Sequence, residues 1–77
     1  MTKNETIRRA MHERLTPLED RILCALYGIG TQMRGSVEVA ADIAWTHRRV
    51  DRAELYALGK LSRAFGITAR DLLEYAE

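Results

Sequence analysis

Apolar residues recur at three- and four-residue intervals along most of the chain, the spacing that places side chains on one face of an α-helix. The clearest helix start is at Thr16, which is followed by Pro17 and, three positions on, by Glu19 in the spacing of a capping box. The helix that follows carries an apolar stripe of Leu18, Ile22, Leu26 and Ile29. Because glycine disfavours helix, Gly28 and Gly30 predict a stop near Tyr27, although a weak continuation towards Met33 stays open, so residues 28–35 are loop or helix.

Similar signals predict four more helices. Thr2 with Glu5 begins a first helix that ends near Arg14, and its apolar stripe is Ile7, Ala10 and Met11. Ser36 follows a break at Gly35 and is the predicted N-cap of a third helix that reaches about Trp45. Asp51 with Glu54 begins a fourth, which ends before Gly66 and carries Leu55, Leu58, Leu61 and Phe65. Thr68 with Asp71 begins a short last helix with Leu72 and Leu73. No segment alternates as a strand does.

The sequence therefore predicts one all-α domain over residues 1–77, a compact bundle of about five short helices. A core of this size rarely contributes more than about 3–5 kcal/mol unaided, so we expect a homodimer. The single cysteine, Cys24, cannot form an internal disulfide, which favours the cytoplasm. The charged N-terminus does not resemble a signal peptide, and no apolar run approaches the roughly 20 residues of a membrane span.

Residue types for catalysis are sparse. His12 and His47 lie far apart in the chain, and neither belongs to a metal-ligand pair. Cys24 sits within an apolar helix, where a buried, unreactive thiol is the common case. Gly28 and Gly30 lack the third glycine of a dinucleotide loop. We therefore expect no enzyme activity, no metal and no cofactor.

Residues 53–75 resemble the C-terminal third of the Xre/Cro-type helix-turn-helix domain. In that family a leucine-rich helix ends at a glycine and is followed by a short capped helix with two leucines. The matching positions here are Leu55, Leu58, Leu61, Ala64, Phe65, Gly66, Ile67, Asp71, Leu72 and Leu73. The resemblance implies a helix-turn-helix-like fold and binding to DNA, although these residues serve the core and the caps and make no DNA contact.

The preceding stretch, Ser36 to Arg52, departs from the family pattern. In the Xre/Cro family the second and third helices read the bases, and a tight turn that usually contains glycine joins them. No glycine follows the helix that reaches Trp45, and only about five residues separate it from the helix predicted at Asp51. The sequence therefore predicts no room for a full recognition helix.

A basic cluster lies in this stretch. Arginine suits both phosphate contacts and bidentate recognition of guanine, and two basic residues further along could extend the cluster into a ridge. The candidate DNA-binding residues are His47, Arg48, Arg49, Arg52, Lys60 and Arg63. The alternative is a solvated surface in which the arginines pair with Asp42, Asp51 and Glu54, each pair contributing about 0–1 kcal/mol.

Two functions remain open from the sequence. The first is a small, dimeric, DNA-binding transcriptional regulator. The second is a helical protein-binding module, such as an antitoxin-like or phage-encoded inhibitor, that covers a partner's surface. Trp45, Met33 and Tyr75 are the candidate residues for a partner interface.

Overall fold

The computed structural model describes residues 2–75, which form helices and no strand. Residues 1, 76 and 77, at the ends of the predicted domain, lie outside the described residues. The helices are α1 (Lys3–Arg14), α2 (Pro17–Tyr27), α3 (Ser36–Ile43), α4 (His47–Phe65) and α5 (Ala69–Leu73). The prediction of an all-α bundle with five helices is confirmed for these residues. No helix among them is both long and apolar enough to cross a membrane.

Threonine caps the N-terminus of four helices. The hydroxyls of Thr2, Thr16, Thr46 and Thr68 each accept a hydrogen bond from the backbone N–H three residues later. At α1, α2 and α5 the acidic residue predicted to complete the capping box accepts a hydrogen bond from the backbone of that threonine. These bonds satisfy N–H groups that have no partner within the helix, and so they set where each helix begins.

The start of α4 was predicted wrongly. The helix begins at His47 rather than at Asp51, which lies inside it. The Oγ of Thr46 accepts from the backbone N–H of Arg49 at 3.2 Å. Since residue 49 is arginine, this cap lacks the acidic partner of a capping box, whereas Asp51 and Glu54 imitate one. The start of α3 differs by one position, because Gly35 rather than Ser36 is its N-cap.

Residues 28–35 form a loop, so the predicted end of α2 near Tyr27 is confirmed. Gly28 caps the helix in the left-handed region, with φ of 70°. Ile29 follows at once and is buried. The loop thus contributes a side chain to the core, and that burial helps to hold it against the helices.

The core consists of two clusters that meet along α4. The large cluster joins α1, α2, the C-terminal half of α4 and α5, and its buried members are Ile7, Ala10, Met11, Leu15, Leu23, Ile29, Ala57, Leu61, Ile67 and Leu72. The small cluster joins α2, α3 and the N-terminal half of α4, and its buried members are Ile22, Val39, Ala40 and Val50. The first turns of α4 therefore rest on a core of their own.

Parts of the predicted apolar stripes were wrong. Leu18 on α2 and Leu55 on α4 are exposed, at 38% and 71%, and Phe65 and Leu73 are exposed as well. Leu23 and Ala57, which those stripes omitted, are fully buried. Helix α2 packs on α4 as well as on α3, so it needs two apolar faces and a single stripe does not describe it. The predicted stripe of α1, Ile7, Ala10 and Met11, is buried throughout.

Candidate nucleic-acid interface

A three-residue turn, residues 44–46, joins α3 directly to α4. Ala44 takes the left-handed conformation with φ of 58°, a region that glycine normally occupies. The backbone N–H of Trp45 donates to the carbonyl of Ala40 at 2.9 Å, which closes the end of α3. The turn was missed in the sequence because no glycine marks it. No further helix lies between α3 and α4, so the prediction that this stretch has no room for an additional full helix is confirmed.

The small cluster determines which face of α4 is exposed at its first turns. Val50 is fully buried, and Ala53 packs against the same cluster. At roughly 100° per residue, Arg48 and Arg52 lie about 160° and 200° around the helix from Val50. Both are exposed, and so are His47 and Arg49. The apolar spacing of residues 50, 53, 57 and 61 is the sequence signal that could have revealed this longer helix.

Arg48, Arg49 and Arg52 form what we call the arginine face. Three acidic residues were candidates to pair with these arginines. Asp42 instead pairs with Arg34, and Glu54 accepts a hydrogen bond from the hydroxyl of Tyr27 at 2.5 Å. The carboxylate of Asp51 forms no ion pair within residues 2–75. Within residues 2–75, no carboxylate lies within the 4.0 Å ion-pair distance of any of the three guanidinium groups. The alternative of paired surface arginines is thus not what the structure contains.

Tyr27 keeps the proton that it donates to Glu54. Burial of the Tyr27 ring, and then the hydrogen bond to Glu54, raise the pKa of the Tyr27 hydroxyl above its usual value. The phenol therefore stays protonated and remains a donor to the carboxylate at neutral pH. This bond ties α2 to α4 two residues after Arg52, the last residue of the arginine face.

Arg49 is held by an aromatic contact. Its guanidinium carbon lies 3.9 Å from the centre of the Trp45 ring, and Trp45 is half-buried against the small cluster. The stacked arginine keeps its charge and its hydrogen-bond donors, since stacking engages the face of the guanidinium plane. The arrangement holds a cation beside the start of α4.

The other two candidate basic residues differ from each other. Lys60 points towards α2, where its Nζ lies 2.7 Å from the Oε1 of Glu19. Burial alone would raise the pKa of Glu19, but hydrogen bonds from Lys60 and from the backbone at Thr16 outweigh it and leave the pKa lowered. Arg63 is exposed and borders a shallow depression together with Arg14. Arg63 therefore lies on the exposed side of α4, whereas the charge of Lys60 is balanced by Glu19.

The three candidate interface residues lie in three different segments of the chain. Trp45 packs on the small cluster and Tyr75 on the large one. Met33 is in the loop between α2 and α3 and is 57% exposed. The side chains of residues 2–75 include no group of three or more His, Cys, Asp or Glu residues placed to hold a metal ion.

Comparisons of the chain with protein-family models, curated proteins and solved structures found no match. Its function therefore has to be inferred from the chemistry and placement of its own residues.

Proposed function

We propose that the chain is a small DNA-binding transcriptional regulator of helix-turn-helix type, in which the first turns of α4 enter the major groove of duplex DNA. The observation that carries the proposal is the arginine face, three exposed guanidinium groups without a carboxylate partner in residues 2–75. Arginines without acidic partners bind phosphate groups well, and here they lie at the N-terminal end of a helix that is packed against the core. That end of the helix is the part that contacts DNA in helix-turn-helix proteins.

The geometry of α3 and α4 supports this function. In helix-turn-helix proteins the second helix of the pair lies in the major groove and the residues near its N-terminus reach the bases. A helix with its side chains is about 10–12 Å across, close to the roughly 12 Å width of that groove. Here α3 precedes a three-residue turn, and α4 then begins with its arginine face exposed.

The roles of the three arginines follow from their positions. Arg48 and Arg52 are four residues apart on the side of α4 that faces away from the core, so they are the residues to read guanine in the groove or to bind the phosphates that line it. Arg49 flanks that side and is held against Trp45, which suits a contact with the DNA backbone at the groove's edge. His47 and Arg63 extend the same surface at either end.

We also propose that the regulator acts as a homodimer. A single domain of 77 residues presents one recognition helix, and a second copy roughly doubles the contacts by adding a second half-site. The molar mass of the protein, free and bound to DNA, measures this directly.

The test is fluorescence anisotropy with a random duplex of about 30 base pairs, at low and at moderate salt. We expect micromolar binding that weakens steeply as salt rises. Replacing two arginines, R48A with R52A, should lower the affinity and reduce the slope of log K against log salt by about 0.9 for each phosphate that the variant no longer neutralises. Circular dichroism verifies that the variant is folded.

A matched control removes the same charge elsewhere. Arg9 on α1 and Arg70 on α5 are exposed and lie beside Glu13 and Glu74. R9A with R70A changes the net charge equally and should leave most of the affinity intact. Equal reductions in affinity for both double variants would show that net charge alone, and not the arginine face, is responsible for binding. Absence of binding at low salt would refute the proposed function.

A second candidate function is a protein-binding module, such as an antitoxin-like or phage-encoded inhibitor. The observation that favours it is the exposure of Leu55 and Tyr56, at 71% and 59%, just beyond the arginine face. Large apolar side chains that are adjacent and exposed to solvent are typical of protein interfaces. Under this alternative, the wild-type protein should not bind duplex DNA at low salt, and L55A with Y56A should abolish capture of its partner.

A further inference from the structure

One carboxylate interrupts the arginine face. Asp51 is exposed on α4, between Arg48 and Arg52 in the chain, and its carboxylate forms no ion pair or hydrogen bond within residues 2–75. We infer that Asp51 determines sequence specificity by accepting a hydrogen bond from the exocyclic amino group of cytosine in the major groove. This inference rests on the proposed function and names the base that the same site would select.

The usual structural reasons for an acidic residue near a helix start do not apply to Asp51. It is the fifth residue of α4, whereas the favourable interaction with the helix dipole is confined to about the first turn. The N-cap of α4 is Thr46, so Asp51 caps nothing. Arg48, three residues earlier, would be a natural ion-pair partner on a helix surface, yet the two side chains do not pair.

On a surface that binds DNA, an unpaired carboxylate weakens binding to every sequence through repulsion from phosphate. That penalty is offset only where the carboxylate meets a hydrogen-bond donor. In the major groove, guanine presents two acceptors and thymine presents an acceptor and a methyl group. Adenine places an acceptor beside its amino group, whereas cytosine presents the amino group alone. Cytosine is therefore the base that fits Asp51.

The position of Asp51 places it beside the base read by Arg48. The two residues are separated by about 4.5 Å along the helix axis, at 1.5 Å per residue. Successive base pairs are about 3.4 Å apart. The two side chains are also on adjacent parts of the exposed surface, about 60° apart around the helix. Arg48 and Asp51 therefore suit neighbouring base pairs, one read through guanine and the other through cytosine.

The experiment is parallel selection from a randomised duplex library with the wild type, D51A and D51N. We expect the wild-type site to contain a cytosine that D51A no longer selects. Because an asparagine amide pairs bidentately with adenine, D51N should exchange that cytosine for adenine and leave the other positions unchanged. In anisotropy with the selected site, the wild type should prefer cytosine over other bases at that position by about 5- to 100-fold, and D51A by less than about twofold.

The control E13Q neutralises an exposed carboxylate on α1 and should select the wild-type site. D51A should also bind random duplex DNA more tightly than the wild type, whereas E13Q should not. Identical selected sites for the wild type and D51A would overturn the role of Asp51 and leave DNA binding standing. If the folded wild type selects no site and shows no salt-dependent binding, the proposed function fails as well.

Discussion

The guanidinium carbon of Arg49 lies 3.9 Å from the centre of the Trp45 ring, so one residue of the arginine face is held against the turn that precedes α4. Trp45 in turn packs on the small cluster formed by α2, α3 and the first half of α4. A single indole thus connects the packing of the core with the placement of an exposed cation. This connection explains why Arg49 stays in place although no carboxylate among residues 2–75 pairs with it.

Replacing the indole should weaken DNA binding without removing any charge. Trp45→Leu retains an apolar side chain on the small cluster but removes the cation–π contact, which contributes about 0.5–1 kcal/mol at an exposed site. We expect affinity for duplex DNA to fall by about two- to fivefold, the equivalent of that energy. A double-mutant cycle with Arg49→Ala measures the coupling. If the effects of the two substitutions simply add, Trp45 does not act through Arg49.

Glycine at position 44 should stabilise the protein. Ala44 holds a positive φ of 58°, which costs a residue with a Cβ about 1 kcal/mol or more. The greater freedom of glycine in the unfolded chain offsets part of this effect, so Ala44→Gly should raise the free energy of unfolding by about 0.5–1 kcal/mol in urea denaturation.

Ala41 provides the matched control for that substitution. It is exposed inside α3, where the backbone is helical, so Ala41→Gly should lower the free energy of unfolding by about 1 kcal/mol. Destabilisation by Ala44→Gly as well would contradict the left-handed turn between α3 and α4.

Truncation of two leucines of α4 should change stability by very different amounts. Leu61 is fully buried in the large cluster, and Leu61→Ala should cost about 2–5 kcal/mol, enough to unfold much of a domain this small. Leu55 is 71% exposed, and Leu55→Ala should change the free energy of unfolding by less than about 0.5 kcal/mol. Thermal denaturation followed by circular dichroism distinguishes them. Similar destabilisation at both positions would show that Leu55 is covered in solution.

The ion pair between Glu19 and Lys60 should make stability depend on acid pH. The pKa of Glu19 is lowered in the folded protein, so its contribution is present above the unfolded pKa and is lost as pH falls through the folded one. Glu19→Gln keeps the cap hydrogen bonds of α2 and removes the charge. We expect this variant to be about 1–2 kcal/mol less stable at neutral pH, between exposed and buried pairs.

The difference between the wild type and Glu19→Gln should shrink as pH falls from about 5 through the folded pKa of Glu19, because the unfolded carboxyl titrates at about 4.3 and the folded one lower. Glu13→Gln removes an exposed charge from α1 and should retain the pH profile of the wild type. A difference between wild type and Glu19→Gln that is constant across this range would show that the pair contributes no charge-dependent stability.

Local patterns in the sequence were sufficient for most of the secondary structure. Thr2, Thr16 and Thr68 were recognised as N-caps because each has an acidic residue three positions later, and the caps formed as expected. The glycines at 28 and 66 end α2 and α4 in the left-handed conformation. These signals are readable because the hydrogen bonds that produce them join residues only a few positions apart.

The candidate site was predicted only in part. His47, Arg48, Arg49 and Arg52 were recognised as a basic cluster, but the first three were placed before a helix that was expected to begin at Asp51. The error came from Asp51 and Glu54, which imitate a capping box, and from Ala44, which turns the chain where glycine was expected.

The sequence by itself determined the helical class, four of the five helix starts to within one residue, and the presence of an arginine cluster, since each depends on residue type and short spacing. Only the tertiary structure decided that Asp42 and Glu54 are taken by Arg34 and Tyr27, and that the arginine face is left without acidic partners within residues 2–75. Those outcomes depend on how α2 and α3 pack against α4, because this packing brings together side chains that are far apart in the chain, and short spacing patterns do not record such pairings.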